Sequence, residues 1–162
     1  MKTYKGLITK LESNEVFVFG SNLRGFHGAG AAGYASFGVP GNSWRKFNYD
    51  KKPHNWEGKW NRKGCSEGLQ KGTDGWSYAL PTVIYPGGKS IHIDIIKDKI
   101  LRLYRTTEIN PTFRFLIAYN NSKNLNGYAT DEMAEMFAQE PIPENIVFEI
   151  NFSKLVQYYL EK

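Results

Sequence analysis

One stretch of this chain collects most of the residues that could do chemistry. Gly20-Ser21-Asn22 ends an apolar run, and Gly25 and His27-Gly28-Ala29-Gly30-Ala31-Ala32-Gly33 follow within a few positions. Small residues let backbone N–H groups approach a ligand closely, and a helix that opens there turns its N-terminus toward an anion. A diphosphate is the natural guest of such a loop. The loop that ends the run carries a carboxamide, Asn22. His27, beside the glycines, is a candidate acid–base residue near neutral pH. The bland readings stay open beside these. The glycines could serve only to pack a helix on a sheet, Asn22 is also a good turn former, and His27 a good cap.

These residues need elements to hold them. Glu15 to Phe19 is rich in aromatic and β-branched residues and reads as a buried strand. A helix is expected from about Gly28 to Phe37, stopped by Gly38 and Pro40. Thr3 to Leu11 reads as an opening strand, Trp76 to Val83 as a strand whose end is marked by Pro81. Ser90 is the expected cap of a helix with Ile93, Ile96, Ile100 and Leu103 on its inner face, ended by Asn110-Pro111. Thr112 to Tyr119 is the next strand. Thr130 is the expected cap of a short helix with Met133, Met136 and Phe137 inward. Asn145 to Ile150 is the last strand and Ser153 to Glu161 the last helix. Strands alternating with helices imply an α/β fold, a mixed but largely parallel sheet between helical layers. Ligands in such folds bind beyond the carboxyl ends of the strands. The loops at Gly20 to Gly30, Thr82 to Ser90, Asn120 to Tyr128 and Asn151-Phe152 belong to that edge.

The length of 162 residues fits one domain. Its net charge is +5, and Ser43 to Gly72 accounts for all of it: eight basic residues stand there against three acidic ones. Trp44, Trp56 and Trp60 lie in the same window. About 43–75 therefore reads as a long basic, tryptophan-rich loop or insertion. Basic residues interleaved with aromatics suit a nucleic acid, so the region from Arg45 to Lys71 is a candidate contact for one. A flap whose tryptophans pack down on the domain is the plainer alternative. The single cysteine, Cys65, excludes an internal disulfide and a cysteine-built metal site. No run reaches the roughly 18 apolar residues of a membrane helix, and Met1 to Lys5 does not open a signal peptide. A cytoplasmic protein needing no cofactor or metal is the expectation.

Gly28-Ala29-Gly30-Ala31-Ala32-Gly33 satisfies the G-x-G-x-x-G of a Rossmann-like dinucleotide fold literally. The context is poor. Gly28 stands nine positions beyond Phe19, and no strand precedes Asp50, where an acidic residue should bind ribose. A better match is to the macrodomains, α/β modules that bind ADP-ribose. Phe19-Gly20-Ser21-Asn22 followed by His27-Gly28-Ala29-Gly30-Ala31-Ala32 resembles their first signature. Gly68-Leu69-Gln70 and Ser77-Tyr78-Ala79-Leu80-Pro81-Thr82 resemble a divergent macrodomain-like family of bacterial and phage proteins. Phe113 to Ala118, Gly127-Tyr128 and Met133 to Phe137 follow that family's later order. The resemblance runs over about residues 15–160.

It implies a three-layer α/β/α fold with a cleft for ADP-ribose, free or on a macromolecule. Gly20, Ser21, Asn22 and Gly25 would line the entry, with Asn22 on the distal ribose. His27, Gly28, Ala29, Gly30 and Ala31 would meet the diphosphate. Asn126, Gly127 and Tyr128 would form the second phosphate loop, Gln70 would contact ribose or a water, and Phe152 would stack on adenine. Hydrolysis of an ADP-ribosyl bond would then be driven by the pocket, with Asn22 and His27 the candidate catalytic groups. Two departures stand out. Leu7 occupies the place where such proteins carry an aspartate that reads adenine, and the second loop is rich in asparagine. A nucleic-acid-binding accessory protein of a phage or mobile element is the competing reading.

Overall fold

The computed structural model describes residues 1–25, 31, 32, 35, 66–72, 75–85 and 87–162. Among the described residues, six strands form one sheet: β1 (Lys2–Tyr4), β2 (Glu15–Asn22), β3 (Gly68–Lys71), β4 (Trp76–Val83), β5 (Arg114–Ile117) and β6 (Ile146–Glu149). Their order across the sheet is β1-β6-β5-β2-β4-β3. Every neighbouring pair is parallel except β3–β4. Among the described residues, three helices, α1 (Ile93–Ile109), α2 (Thr130–Phe137) and α3 (Ile150–Leu160), complete an α/β fold of the three-layer α/β/α kind. Ala31, Ala32 and Ala35 are also helical, and Ala32 and Ala35 are buried in the core.

Why β2 lies centrally follows from its composition. All eight of its residues are buried, and Val16, Phe17, Val18 and Phe19 give it apolar side chains on both faces. A strand flanked by parallel neighbours has no wet face, so an uninterrupted apolar run is what it requires. α1 buries Ile96, Ile100, Leu103, Tyr104 and Thr107 along one stripe. The Tyr104 hydroxyl donates to the Phe137 carbonyl, and Gln139 Nε2 donates to the Lys97 carbonyl at 3.0 Å. Those bonds fix α2 against α1. Pro81 lies beyond the end of the β3 pairing at Ala79 and pairs with Ser21 of β2, where the register shifts between Ser21 and Asn22. A proline is tolerated at such an irregularity near a strand end.

Several expected boundaries move, each for a local reason. The opening strand stops at Tyr4, because Gly6 takes φ +78° and ends it. Gly68–Lys71, expected as loop, is a strand: Gly68 pairs opposite Ala79 and Lys71 opposite Trp76. Ser90 does not cap α1. It sits in a bridge to Val83, and His92 caps instead, its Nδ1 accepting from the Asp94 amide at 3.2 Å. Thr130 does not cap α2 either. Its hydroxyl donates to the Asn120 carbonyl at 2.7 Å and accepts from the Asn124 amide at 3.1 Å. The last helix begins earlier than expected, since Glu149 caps it through the Asn151 and Phe152 amides. The helix expected from Gly28 to Phe37 and the basic segment from Ser43 to Cys65 lie outside the described residues, apart from Ala31, Ala32 and Ala35.

Candidate functional site at the carboxyl edge of the sheet

The strand order creates one switch point. After β2 the chain goes on to β3 and β4, on one side of it. After β5, the other neighbour of β2, the chain goes to β6 on the opposite side. A crevice opens where connections diverge in this way, outside the carboxyl ends of the strands. The loop after β2 carries Asn22 and Gly25, and the loop after β5 carries Asn120 to Ala129. Both begin at this crevice.

Asn22 is buried and shapes the first loop. Its Oδ1 accepts from the Arg24 amide at 3.1 Å, and its carbonyl accepts from the Gly25 amide at 3.1 Å. Gly25 has φ +70°, a conformation that favours glycine. The turn-forming reading of Asn22 is thus visible in the structure. Ser21 donates its hydroxyl to the Ser66 carbonyl, which draws the approach to β3 against the end of β2. That approach is held from the other side by Lys99, whose Nζ is 2.7 Å from Glu67.

The second loop lies directly on the first strand. A Cβ on Gly20 would fall 1.9 Å from the Leu125 carbonyl oxygen. No side chain fits there, so glycine at this position is required for the loop to close. Leu125 itself has φ 59°, unusual for a branched side chain. The Thr82 hydroxyl donates to the Leu125 carbonyl at 2.5 Å, and the Ser90 hydroxyl donates to the Gly127 carbonyl at 3.1 Å. A Cβ on Gly127 would come within 2.9 Å of Thr82 Cβ. Asn120 and Asn124 brace the loop from within: Asn124 Oδ1 accepts from the Asn120 amide at 2.7 Å. The asparagines that the sequence made prominent are therefore the loop's scaffold. Asn124 Nδ2 is buried with no hydrogen-bond partner.

At the far side of this edge, the end of β6 is sealed. Glu149 is 5% exposed, and its carboxylate accepts from the Asn151 amide at 2.7 Å, the Phe152 amide at 3.1 Å and Asn151 Nδ2 at 3.0 Å. The Phe152 ring is 1% exposed and stands among Phe137, Phe148 and Tyr119, with centroids 5.7, 5.5 and 6.3 Å away. Tyr119 is half-buried. Burial, and then the nearby charge of Glu149, raise its hydroxyl above the ordinary tyrosine range. Tyr4 is raised by the same two causes in the same order, and its hydroxyl donates to the Ile117 carbonyl at 2.6 Å. Leu7 is 70% exposed.

The structure thus brings Gly20, Ser21, Asn22, Gly25, Gly127 and Tyr128 to one edge, with Asn126 in the loop between them. Phe152 reaches that edge as part of the core. Gln70 is not brought there. It pairs opposite Ser77, near the start of β4, and the six-residue rise from Ser77 to Val83 puts it about 20 Å from the crevice. Ala31 is helical and half-buried. His27, Gly28, Ala29 and Gly30 lie outside the described residues, as do Arg45 to Lys63 of the basic segment. Thr82, Glu149 and Tyr119 were not legible as site-shaping residues. Thr82 and Glu149 lie at strand ends on this edge and Tyr119 follows β5 by two positions, which is the signal that could have found them. Among the described residues, no group of three or more His, Cys, Asp or Glu side chains could hold a metal ion. Nor is any helix among them long and apolar enough to cross a membrane. The sequence matches no protein-family model and no curated protein.

Proposed function

We propose that this protein binds ADP-ribose, or a closely related nucleoside diphosphate, at the carboxyl edge of β2 and β5. The observation that carries the reading is the seating of the Asn124–Asn126 turn on Gly20 at the switch point. It sets the asparagine-rich loop after β5 on the end of β2, next to the turn at Asn22 to Gly25. Backbone amides of such loops suit a diphosphate, which lies between two sugars and must be reached from both sides. The resemblance of Phe19 to Ala32 to the macrodomain signature supports the same ligand. In this reading His27 to Ala31 hold one face of the diphosphate and Asn126 to Tyr128 the other. Asn22 orients the distal ribose from the turn it already organises.

The base is held less specifically than the diphosphate. Glu149 is committed to capping α3, Phe152 to the core, and Leu7 offers no carboxylate. Tyr119, half-buried beside Phe152, is the aromatic side chain at the end of β5.

Calorimetric titration with ADP-ribose, ADP, AMP and NAD tests the proposal. Saturable one-site binding of ADP-ribose, about tenfold or more tighter than ADP, is expected. Gly30→Leu should abolish that binding with the thermal transition intact. Equal affinity for AMP and ADP-ribose, or no binding of either, would remove the assignment.

A further inference from the structure

Beside the first loop, a cation is held out from the edge without a carboxylate partner among the described residues. Arg24 is exposed, and its guanidinium carbon stands 5.4 Å from the Tyr85 ring centroid. Tyr85 is itself fixed. Its carbonyl accepts from the Gly88 amide at 2.8 Å, Gly87 takes φ +68°, and a Cβ on Gly88 would fall 2.7 Å from the ring. Glycine at position 88 therefore lets the ring lie flat on the turn, with Arg24 over it. A cation–π contact of this kind restrains a guanidinium without neutralising it. The Leu23 amide donates to the Val83 carbonyl at 3.2 Å, so the two segments form one continuous surface.

The charged side chains of the two segments are cations. Residues 16–25 and 75–91 contain Arg24 and Lys89 and no Asp or Glu, and Asp94, just beyond, lies 3.8 Å from His92. Around the cations, Leu23, Ile84 and Tyr85 are large apolar side chains left 40–50% exposed. Arg24 follows Asn22 by two positions, on the outer side of the turn. In the ADP-ribose reading, with Asn22 on the distal ribose, a group attached to that ribose leaves the cleft beside Asn22 and meets this surface. A fixed guanidinium with apolar neighbours complements a phosphodiester strand.

We infer that the carrier of the ADP-ribosyl group is a nucleic acid, its backbone phosphate met by Arg24 held over Tyr85. The inference rests on the ADP-ribose reading above. Arg24 contacts the carrier and not the nucleotide, so its loss separates the two.

The test compares free ADP-ribose, a single-stranded oligonucleotide bearing one ADP-ribosyl group, and an uncharged peptide bearing the same group. At about 50 mM salt the modified oligonucleotide should bind at least about threefold tighter than free ADP-ribose. Arg24→Gln should cancel that gain and reduce the salt slope by about 0.7, the share of one phosphate on a single strand. Its affinity for free ADP-ribose should stay within about twofold. Arg24→Lys should keep the slope and lose part of the gain, because Tyr85 holds a guanidinium better than an ammonium. Circular dichroism confirms that each variant is folded. A modified peptide that binds as tightly as the oligonucleotide would overturn the inference in favour of a protein carrier. An unchanged oligonucleotide affinity in Arg24→Gln would overturn it too. If free ADP-ribose fails to bind the unaltered protein, the nucleotide reading falls and this inference with it.

Discussion

The two edges of the sheet differ in kind. At the amino edge, where β1 and β6 begin, a groove of about 750 Å³ is lined by Met1, Lys2, Pro141, Pro143, Glu144 and Leu160, among others. It is roomy, but its polar groups are of mixed sign, and Glu140 on its wall is paired with Arg105 at 2.7 Å. At the carboxyl edge, Gly20 brings main chain onto main chain, Gly127 fits against the Thr82 side chain, and Thr82 and Ser90 hold the loop by hydrogen bonds. Volume makes a groove; close backbone approach at a switch point makes a place where amides can converge on a phosphate. The comparison teaches that these are separable, and each edge can be altered without touching the other.

The largest expected effect is at Gly20. Gly20→Ala drives a methyl into the Leu125 carbonyl, so the loop after β5 must leave its seat or the strand must shift. A loss of about 2–4 kcal/mol in urea unfolding is expected. ADP-ribose binding should be lost as well. A variant with unaltered stability and affinity would show that the seating of this loop is incidental. Thr82→Val is smaller: it removes one hydroxyl and leaves the Leu125 carbonyl without that donor. About 1–2 kcal/mol of stability should go, with a fewfold weaker ADP-ribose affinity in the same titration. Smallest of all is Gln157→Ala, in the groove at the amino edge. It should leave ADP-ribose affinity within about twofold, and a tenfold loss there would invert the comparison.

Most elements that hold the edge could be read from residue patterns, because their periodicities are strong. β2 and β4 are apolar runs, and the stripe Ile96, Ile100, Leu103 defines α1 before any contact is known. What escaped was decided by contacts distant in sequence. Ser90 and Thr130 are good capping residues by type, yet each bonds to the loop after β5 or to its neighbour instead. Glu149 has no cap signature in isolation, because a strand passes straight into a helix there. Gln70 fits a ligand role by type, but the antiparallel register of β3 carries it away from the carboxyl edge. Phe152 fits a stacking role, but its ring completes an aromatic cluster that the sequence spreads over Tyr119, Phe137 and Phe148. Gly20 shows the reverse: one glycine at a strand end, unremarkable alone, is explained by a residue more than a hundred positions later.

The most direct measurement of the central claim is amide chemical-shift mapping on isotope-labelled protein titrated with ADP-ribose. The account predicts the largest changes at Gly20 to Gly25 and at Asn124 to Tyr128, with Ala138 to Ile146 silent. Changes confined to Ala138 to Ile146, at the groove of the amino edge, would contradict it.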